Sequence, residues 1–557
     1  MKKKLLSLIL VSIMIVSVLG GCGSKNDDKD KKSNQVEEKD PTKAPEKDGA
    51  DVPDEPDVTD SKPEYSEITV EIFDRGTDGG KTDATNNYYT DWIKAKVLED
   101  ENIGVSFVAV SRWEETEQLN NLMAAGTAPD VCLTYSKDLI TNYRDLGGLA
   151  ELSSYTDTLL TDLKEFLGPD LALAGRDMIV RNMDLETGEL HSIPARRMNT
   201  AKFGTFIRKD WLDALGLAVP TTTQEFYDAL VAFKEQDPGK VGSENVIPFT
   251  MTSDVRWRAA TLLDSFIDPG MTMKDRWINT VIDRNFLLPG YKEGVRLLNK
   301  MYNEGLVDTQ FPLYNDDVDS DNLIKTGVVG AFIHNWDQPF RDTPGLLRDL
   351  KVNVPDAEII SIDPFQNSDG VAVKEIYDSA GVNYFIPASS KNVEGALRYI
   401  NWLSKFENRY FLQIGDEGST HTMVDGVPKL MGATDEKIMN SAQNIDYTIM
   451  INGLDVGDPS KMAQAIAQSY PVDSQLIVDA YDNAMANAFA TPVNPATLSA
   501  AGPYTQLLTD KGETLMAESV TCSVADFDSV WDAGIADWLA SGAQEIIDER
   551  EAKYIEP

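Results

Sequence analysis

Histidine and cysteine are scarce in this chain, at three each among 557 residues. His191, His334 and His421 stand apart, with no HExxH pair and no cysteine cluster, which removes the usual zinc arrangements. No GxSxG turn offers a serine nucleophile. Gly76-Thr77-Asp78-Gly79-Gly80-Lys81-Thr82 is one residue short of a phosphate-binding GxxxxGK[ST] loop and reads as a turn. Positive charge is also in deficit: 51 Lys and Arg face 91 Asp and Glu, for a net charge of −40. Such a surface repels nucleic acid and anionic lipid and favours solubility. In so acidic a chain, paired carboxylates are too common to nominate a glycosidase site.

Long apolar runs are missing as well, except at the start. Lys2, Lys3 and Lys4 precede an apolar stretch from Leu5 to Leu19, too short for a bilayer span but suited to a secretory signal. It ends in Leu19-Gly20-Gly21-Cys22-Gly23, which resembles a bacterial lipobox: small residues expose the bond to be cut, and the Cys22 thiol accepts the acyl chain. Residues 1–21 are therefore expected to be a lipoprotein signal peptide, with Cys22 the lipidated residue on the outer face of the cytoplasmic membrane. Residues 22–65, rich in Lys, Asp, Glu, Pro and Ser, cannot bury enough apolar surface to fold and are expected to form a tether. Cys132 and Cys522 remain; both are expected to be unpaired, Cys132 at a buried strand end.

After the tether, β-like and helix-like segments alternate. Ile68 to Phe73 is a β-rich run, a helix-like stretch surrounds Trp92-Ile93, and Ile103, Val105, Phe107 and Ala109 mark one face of a second strand. Leu119, Leu122 and Met123 have helical spacing ahead of the strand Val131-Cys132-Leu133. This rhythm indicates an α/β sheet. Thr222 and Glu225 have capping-box spacing before Phe226, Leu230 and Phe233, and Asp237-Pro238-Gly239 ends that helix. Asn392 is placed to cap a helix carrying Leu397, Ile400 and Leu403, and the last stretch, through Trp531, Ile535, Trp538 and Ile546, reads as helical.

Tryptophan supplies the best chemical clue. Trp113, Trp257 and Trp336 lie in Ser111-Arg112-Trp113, Arg256-Trp257-Arg258 and His334-Asn335-Trp336-Asp337. An indole stacks on the C–H face of a sugar ring while planar polar neighbours bond its hydroxyls; each tryptophan could equally be core.

Several segments together carry a family resemblance: Leu122-Met123-Ala124-Ala125-Gly126-Thr127-Ala128-Pro129-Asp130, Gly188 to Pro194, Phe206-Ile207-Arg208-Lys209-Asp210-Trp211-Leu212, Leu215 to Thr222, Ile386 to Asn392, and Gly415-Asp416-Glu417-Gly418. They resemble the family 1 extracellular solute-binding proteins, in particular the long lipoproteins of Gram-positive bacteria. The resemblance implies a two-lobed type II periplasmic-binding-protein fold, two α/β domains with a ligand cleft between them. On that pattern residues 66–190 and 381–440 would form one lobe, and 191–380 and 441–557 the other. It further implies a monomer without catalysis that captures a solute, most often an oligosaccharide, for the permease subunits of an ABC importer. A surface enzyme acting on polysaccharide, or a sensor or adhesin on the same fold, are the alternatives.

Carried over from the family's cleft positions, the expected ligand contacts are Asp74, Arg75, Asn87, Tyr135, Arg196, Arg197, Trp336, Asp337 and Glu417, with Trp257 added by its aromatic context. Several of these are arginines, which suit an acidic sugar as well as a neutral one. No cofactor is expected, and no metal. Some relatives carry a calcium loop after the helix that follows Pro220-Thr221-Thr222, but here Gly239, Val241 and Val246 offer no side-chain oxygen.

Overall fold

The computed structural model describes residues 62–556, apart from 76–82, 315–316, 342–344, 432–436, 438–443, 449–450 and 497. The signal segment, Cys22, most of the tether and the glycine-rich turn at 76–82 lie outside the described residues.

Ten strands organise two sheets: β1 (Ser66–Asp74), β2 (Ile103–Ser111), β3 (Cys132–Thr134), β4 (Ile193–Arg197), β5 (Phe203–Arg208), β6 (Ile247–Thr250), β7 (Val329–Asn335), β8 (Ile359–Ile362), β9 (Ala380–Phe385) and β10 (Ile451–Asn452). In the first, β1 pairs in parallel with β2 in the register Ser66–Ile103 to Asp74–Ser111. A parallel bridge from Val70 to Val131 brings in β3. Strand β9 runs antiparallel to both β3 and β4, and β10 closes the edge beside β4. The second sheet has the order β8-β5-β7-β6. The chain thus leaves the first sheet after β4, builds the second, re-enters with β9 and returns to the first again at β10. Two lobes sharing several chain crossings follow from this order, with helices covering both sheets.

Local sequence explains much of this. In β1, Ile68, Val70 and Ile72 are buried on one side, and Glu71 is buried on the other because β3 lies against it; the Glu71 carboxylate accepts the Leu133 N–H at 3.0 Å. Strand β2 lies at the sheet edge, where Ile103 and Val110 are buried while Ala109 is exposed, so its inward face shifts near the end. Thr222 caps the helix Thr223–Gln236 by accepting the Glu225 N–H, and Phe226, Ala229, Leu230 and Phe233 form its buried face. Asn392 departs from expectation: it occupies the N-cap of Val393–Ser404, but its amide donates to the Glu67 carbonyl and so ties the helix to β1 instead. Asp425 and Gly426, both at positive φ, turn the hairpin His421–Val424/Val427–Leu430. Cys132 is buried and Cys522 half-buried, and neither is paired.

Each lobe has its own apolar core. One gathers Ile68, Val70, Ile93, Leu133, Tyr384, Leu397 and Trp402 around the first sheet. The other gathers Trp211, Phe233, Phe249, Leu298 and Ile333 around the second, and the helical C-terminus adds Trp531, Trp538 and Ile546 to it. Gly290 opens the helix Tyr291–Asn303 at φ +91°, and a Cβ there would fall on the Phe266 carbonyl oxygen. Replacing Gly290 by alanine is expected to cost about 3 kcal/mol or more, read as a lowered denaturation midpoint; an unchanged midpoint would show that the turn can relax.

Candidate functional site

The segments crossing between the sheets carry the most convergent chemistry. Residues 197–203 and 375–379 run side by side, joined by Arg197 N–H to Ser379 O at 2.7 Å and Tyr377 N–H to Thr200 O at 2.8 Å. Beside them opens a cavity of about 440 Å3 lined by Lys202, Phe203, Arg256, Trp257, Asp264, Glu375 and Tyr377, with Pro492 and Val493 on another wall. Its apolar side is an aromatic corner: the Trp257 ring meets Phe203 edge-on at 4.7 Å and Tyr377 at 6.1 Å. Cations surround that corner. Lys202 Nζ lies 5.3 Å from the Trp257 ring and pairs with Glu375 at 2.7 Å, and the Arg197 guanidinium lies 4.8 Å from the Tyr377 ring.

Trp257 reaches the cavity because its neighbours fix the turn. The Asp254 side chain caps the short helix Val255–Arg258. Buried Arg258 anchors it to the Ile333 carbonyl and to Ser320, Asp317 and Asp321. Arg256 and Arg197 differ from Arg258: among the described residues neither has a carboxylate within ion-pair distance, and each keeps a buried Nε without a hydrogen-bond partner. The carboxylates that line the same cavity, Asp264, Asp283, Glu375 and Asp378, thus leave these two guanidinium groups outside ion-pair distance.

At the C-terminal end of β1 and β3, a second cluster forms in the first lobe. Tyr135 stacks on Phe73 with ring centres 5.9 Å apart, and Arg112 lies 4.4 Å from the Tyr135 ring while pairing with Glu115. Glu115 also accepts the Thr134 hydroxyl and the Tyr135 N–H. Arg75 pairs with buried Asp446 at 2.7 Å, and Asp74 ends β1 at the surface.

The expected contacts therefore separate into groups. Trp257 lines the cavity and Arg197 lies over Tyr377, another of its lining residues, while Asp74, Arg75 and Tyr135 share the strand ends of the first lobe. Arg196 points the other way, as alternation along a strand requires, and donates to the Leu167 carbonyl beside Phe166 and Arg409. Asn87 is engaged as the cap of Tyr88–Glu101, its amide bonding the Tyr447 hydroxyl. Trp336 is 3% exposed and packs against Tyr481 and Tyr470 in the core. Asp337 is held by both arms of Arg341 and by the Tyr470 hydroxyl. Glu417 is exposed, while its neighbour Asp416 accepts from Tyr88 and Lys437. Tyr377, Lys202 and Asp264 were not legible in the sequence; Arg256, flanking Trp257, and Arg112, flanking Trp113, carried a local signal.

Two buried carboxyls titrate high. Burial, with the nearby charge of Glu115, raises Glu71 to about 8 although the Leu133 N–H lowers it. Burial and then Glu375 raise Asp264, on the cavity wall, to about 7. Each holds its proton more tightly in the folded chain, so each removes stability as pH rises from about 5 to about 8. His334 acts oppositely: burial depresses it below its usual 6.5, so it adds stability as pH rises towards that value, and the gain is complete above it. With two carboxyls against one imidazole, the melting temperature is expected to fall across this range and Glu71→Gln to flatten the fall. Parallel profiles for the two proteins would contradict this.

At the loop after Thr223–Gln236, both Asp237 oxygens accept backbone N–H groups, of Val241 and Gly242, each at 2.9 Å. Among the described residues no cluster of three or more Asp, Glu, His or Cys could hold a metal ion. Adding excess calcium after chelation is expected to leave the melting temperature unchanged; a rise would reveal a site.

The sequence profile of the bacterial extracellular solute-binding proteins matches residues 84–408, more than half of the chain. The chain belongs to that family. This solute-binding protein is 22% identical over 457 residues to the polygalacturonan/rhamnogalacturonan-binding protein YtcQ of Bacillus subtilis, covering 79% of this chain and 83% of that one. It is 24% identical over 337 residues to lipoprotein LipO of the same organism, covering 58% and 62%. Its fold matches an HMO-binding, ABC-transporter-associated solute-binding protein of Bifidobacterium longum infantis with a TM-score of 0.56, at 20% identity, over 88% of this chain and 98% of that structure. The two-lobed solute-binding fold is thereby shown, and the relatives named for a ligand bind sugars. No helix among the described residues is long and apolar enough to cross a membrane.

Proposed function

We propose that this protein is the extracellular, lipid-anchored capture subunit of an ABC importer, and that it takes an oligosaccharide bearing carboxylates between its lobes and passes it intact to the permease. The observation that carries this reading is the aromatic corner of Trp257, Phe203 and Tyr377 under Arg197, Arg256 and Lys202, in a cavity beside the lobe crossings. The rings offer a platform to a sugar's C–H face, and the two guanidinium groups, which have no carboxylate within ion-pair distance among the described residues, match carboxylates in a two-pronged way. The name of the Bacillus subtilis relative, a binder of polygalacturonan and rhamnogalacturonan, supports the same ligand class. Sheet membership supports counting β4 and β10 with the first lobe, so that the crossings fall near 198–202, 376–379 and just after Asn452. Closure about those crossings would bury the ligand and form the surface a permease recognises. The lipid anchor rests on Lys2 to Cys22, and export as a monomer fits the acidic surface.

Isothermal titration with oligogalacturonates, mixed uronate-containing oligomers and neutral oligosaccharides tests the reading, with chromatography of the sugar afterwards. Saturable binding of a carboxylate-bearing oligomer, recovered unaltered, is expected. Binding confined to neutral sugars would remove the acidic assignment, and cleavage products or no binding to any sugar would overturn the function.

A further inference from the structure

Trp113 is the one large aromatic among the described residues left mostly uncovered by the fold apart from Tyr65 near the start, with 74% of its surface exposed. It sits in the turn Arg112–Glu114 directly after β2, at the same end of the sheet as Asp74 and Tyr135. Carboxyl ends of parallel strands are where α/β sheets present ligand contacts. An open groove runs beside it, lined by Trp113, Glu117, Asn120, Asn121, Tyr135 and Ser136.

The groove is built rather than incidental. Arg112, which also lines it, is clamped by Glu115 at 2.7 Å and lies over Tyr135, so the turn presenting Trp113 is fixed. The Arg112 guanidinium also lies 5.6 Å from the Trp113 ring, holding the indole from one side and leaving the other open. Asn120 uses its carbonyl to accept the Tyr143 hydroxyl at 2.8 Å, which orients its NH2 group, and that group makes no hydrogen bond to a described residue. An exposed indole with oriented amide protons beside it is the pattern a pyranose ring uses, one face stacked and its hydroxyls bonded. Glu114 and Glu117 border the groove and disfavour a carboxylate there.

We infer that the groove beside Trp113 is an outer subsite that stacks an uncharged sugar ring of a longer oligosaccharide whose other rings lie in the cleft. This rests on the proposed function above and narrows it: the ligand would mix carboxylate-bearing rings, met by Arg197 and Arg256, with uncharged ones, met by Trp113.

Calorimetry of the wild-type chain and of Trp113→Ala, using rhamnogalacturonan-type di- and hexasaccharides as probes, decides the matter. Trp113→Ala is expected to bind the hexasaccharide about tenfold more weakly, to bind the disaccharide like wild type, and to be rescued by Trp113→Phe. In wild type the hexasaccharide alone should shield Trp113 from acrylamide quenching of its fluorescence. Unchanged hexasaccharide affinity in Trp113→Ala, or equal weakening for both probes, would overturn the subsite while leaving the cleft assignment standing. A wild-type chain that binds no oligosaccharide would instead overturn the function, and the subsite with it.

Discussion

Asp170→Ala is expected to lower stability by about 3–5 kcal/mol, read from chemical denaturation. Asp170 and Arg181 form an ion pair with both side chains fully buried, and Asp170 also accepts the Ser379 hydroxyl at 2.9 Å and the Ala172 N–H at 3.0 Å. Burial alone would raise the Asp170 carboxyl, yet Arg181 overcomes that and holds it below the usual carboxylate range. Removing the carboxylate strands a guanidinium in the interior, and Asp378, half-exposed, replaces only part of what is lost. The residue left behind is the costly one. Arg181→Met added to Asp170→Ala is therefore expected to recover much of the loss, because an apolar pair of similar volume needs no counter-charge. Equal stability of the single and double variants would show that the pair's partners, not the stranded charge, set the cost. Asp378 and Ser379 belong to a crossing between the lobes, so the single change should also weaken ligand capture more than its distance from the cavity suggests.

The second large effect is on binding. Trp257→Ala should reduce affinity for the captured oligosaccharide about thirtyfold or more, in keeping with loss of a tryptophan at the centre of an interface. The side chain is half-buried against Phe203, and the turn beneath it is held by Asp254 and Arg258, so its removal opens the ligand wall without emptying the core. Melting temperature should therefore move little while the dissociation constant rises. Trp257→Phe should retain part of the affinity, since a smaller ring still offers a face. Arg197→Gln separates charge from stacking: it should weaken a carboxylate-bearing oligomer and spare a neutral one. Full affinity in Trp257→Ala would place the ligand elsewhere.

Local pattern alone reveals the elements and the family. The alternation of Ile68, Val70 and Ile72, the Thr222 cap, the buried Cys132 and the helical C-terminus all stand as read, because each depends on neighbours within a few residues. Asn392 shows where that reasoning stops: its NH2 group donates to a β1 carbonyl far away in sequence, and its side-chain oxygen takes no N–H from the helix end.

The candidate site divides along the same line. Trp257 was legible because Arg256 and Arg258 flank it, yet which arginine faces the cavity and which anchors the turn depends on packing against β7. Arg196 and Arg197 are neighbours with the same chemistry, and only the orientation of β4 sends one to Tyr377 and the other to the Leu167 carbonyl. Trp336 has the same polar setting as Trp257 but lies within the core because Tyr470 and Tyr481 close over it. Sequence by itself thus determined the membership of the chain, its strand-and-helix alternation and its acidic composition, all properties of short stretches or of composition. Tertiary structure alone decided which charged groups are paired internally and which are not, because that balance is struck between segments far apart in sequence.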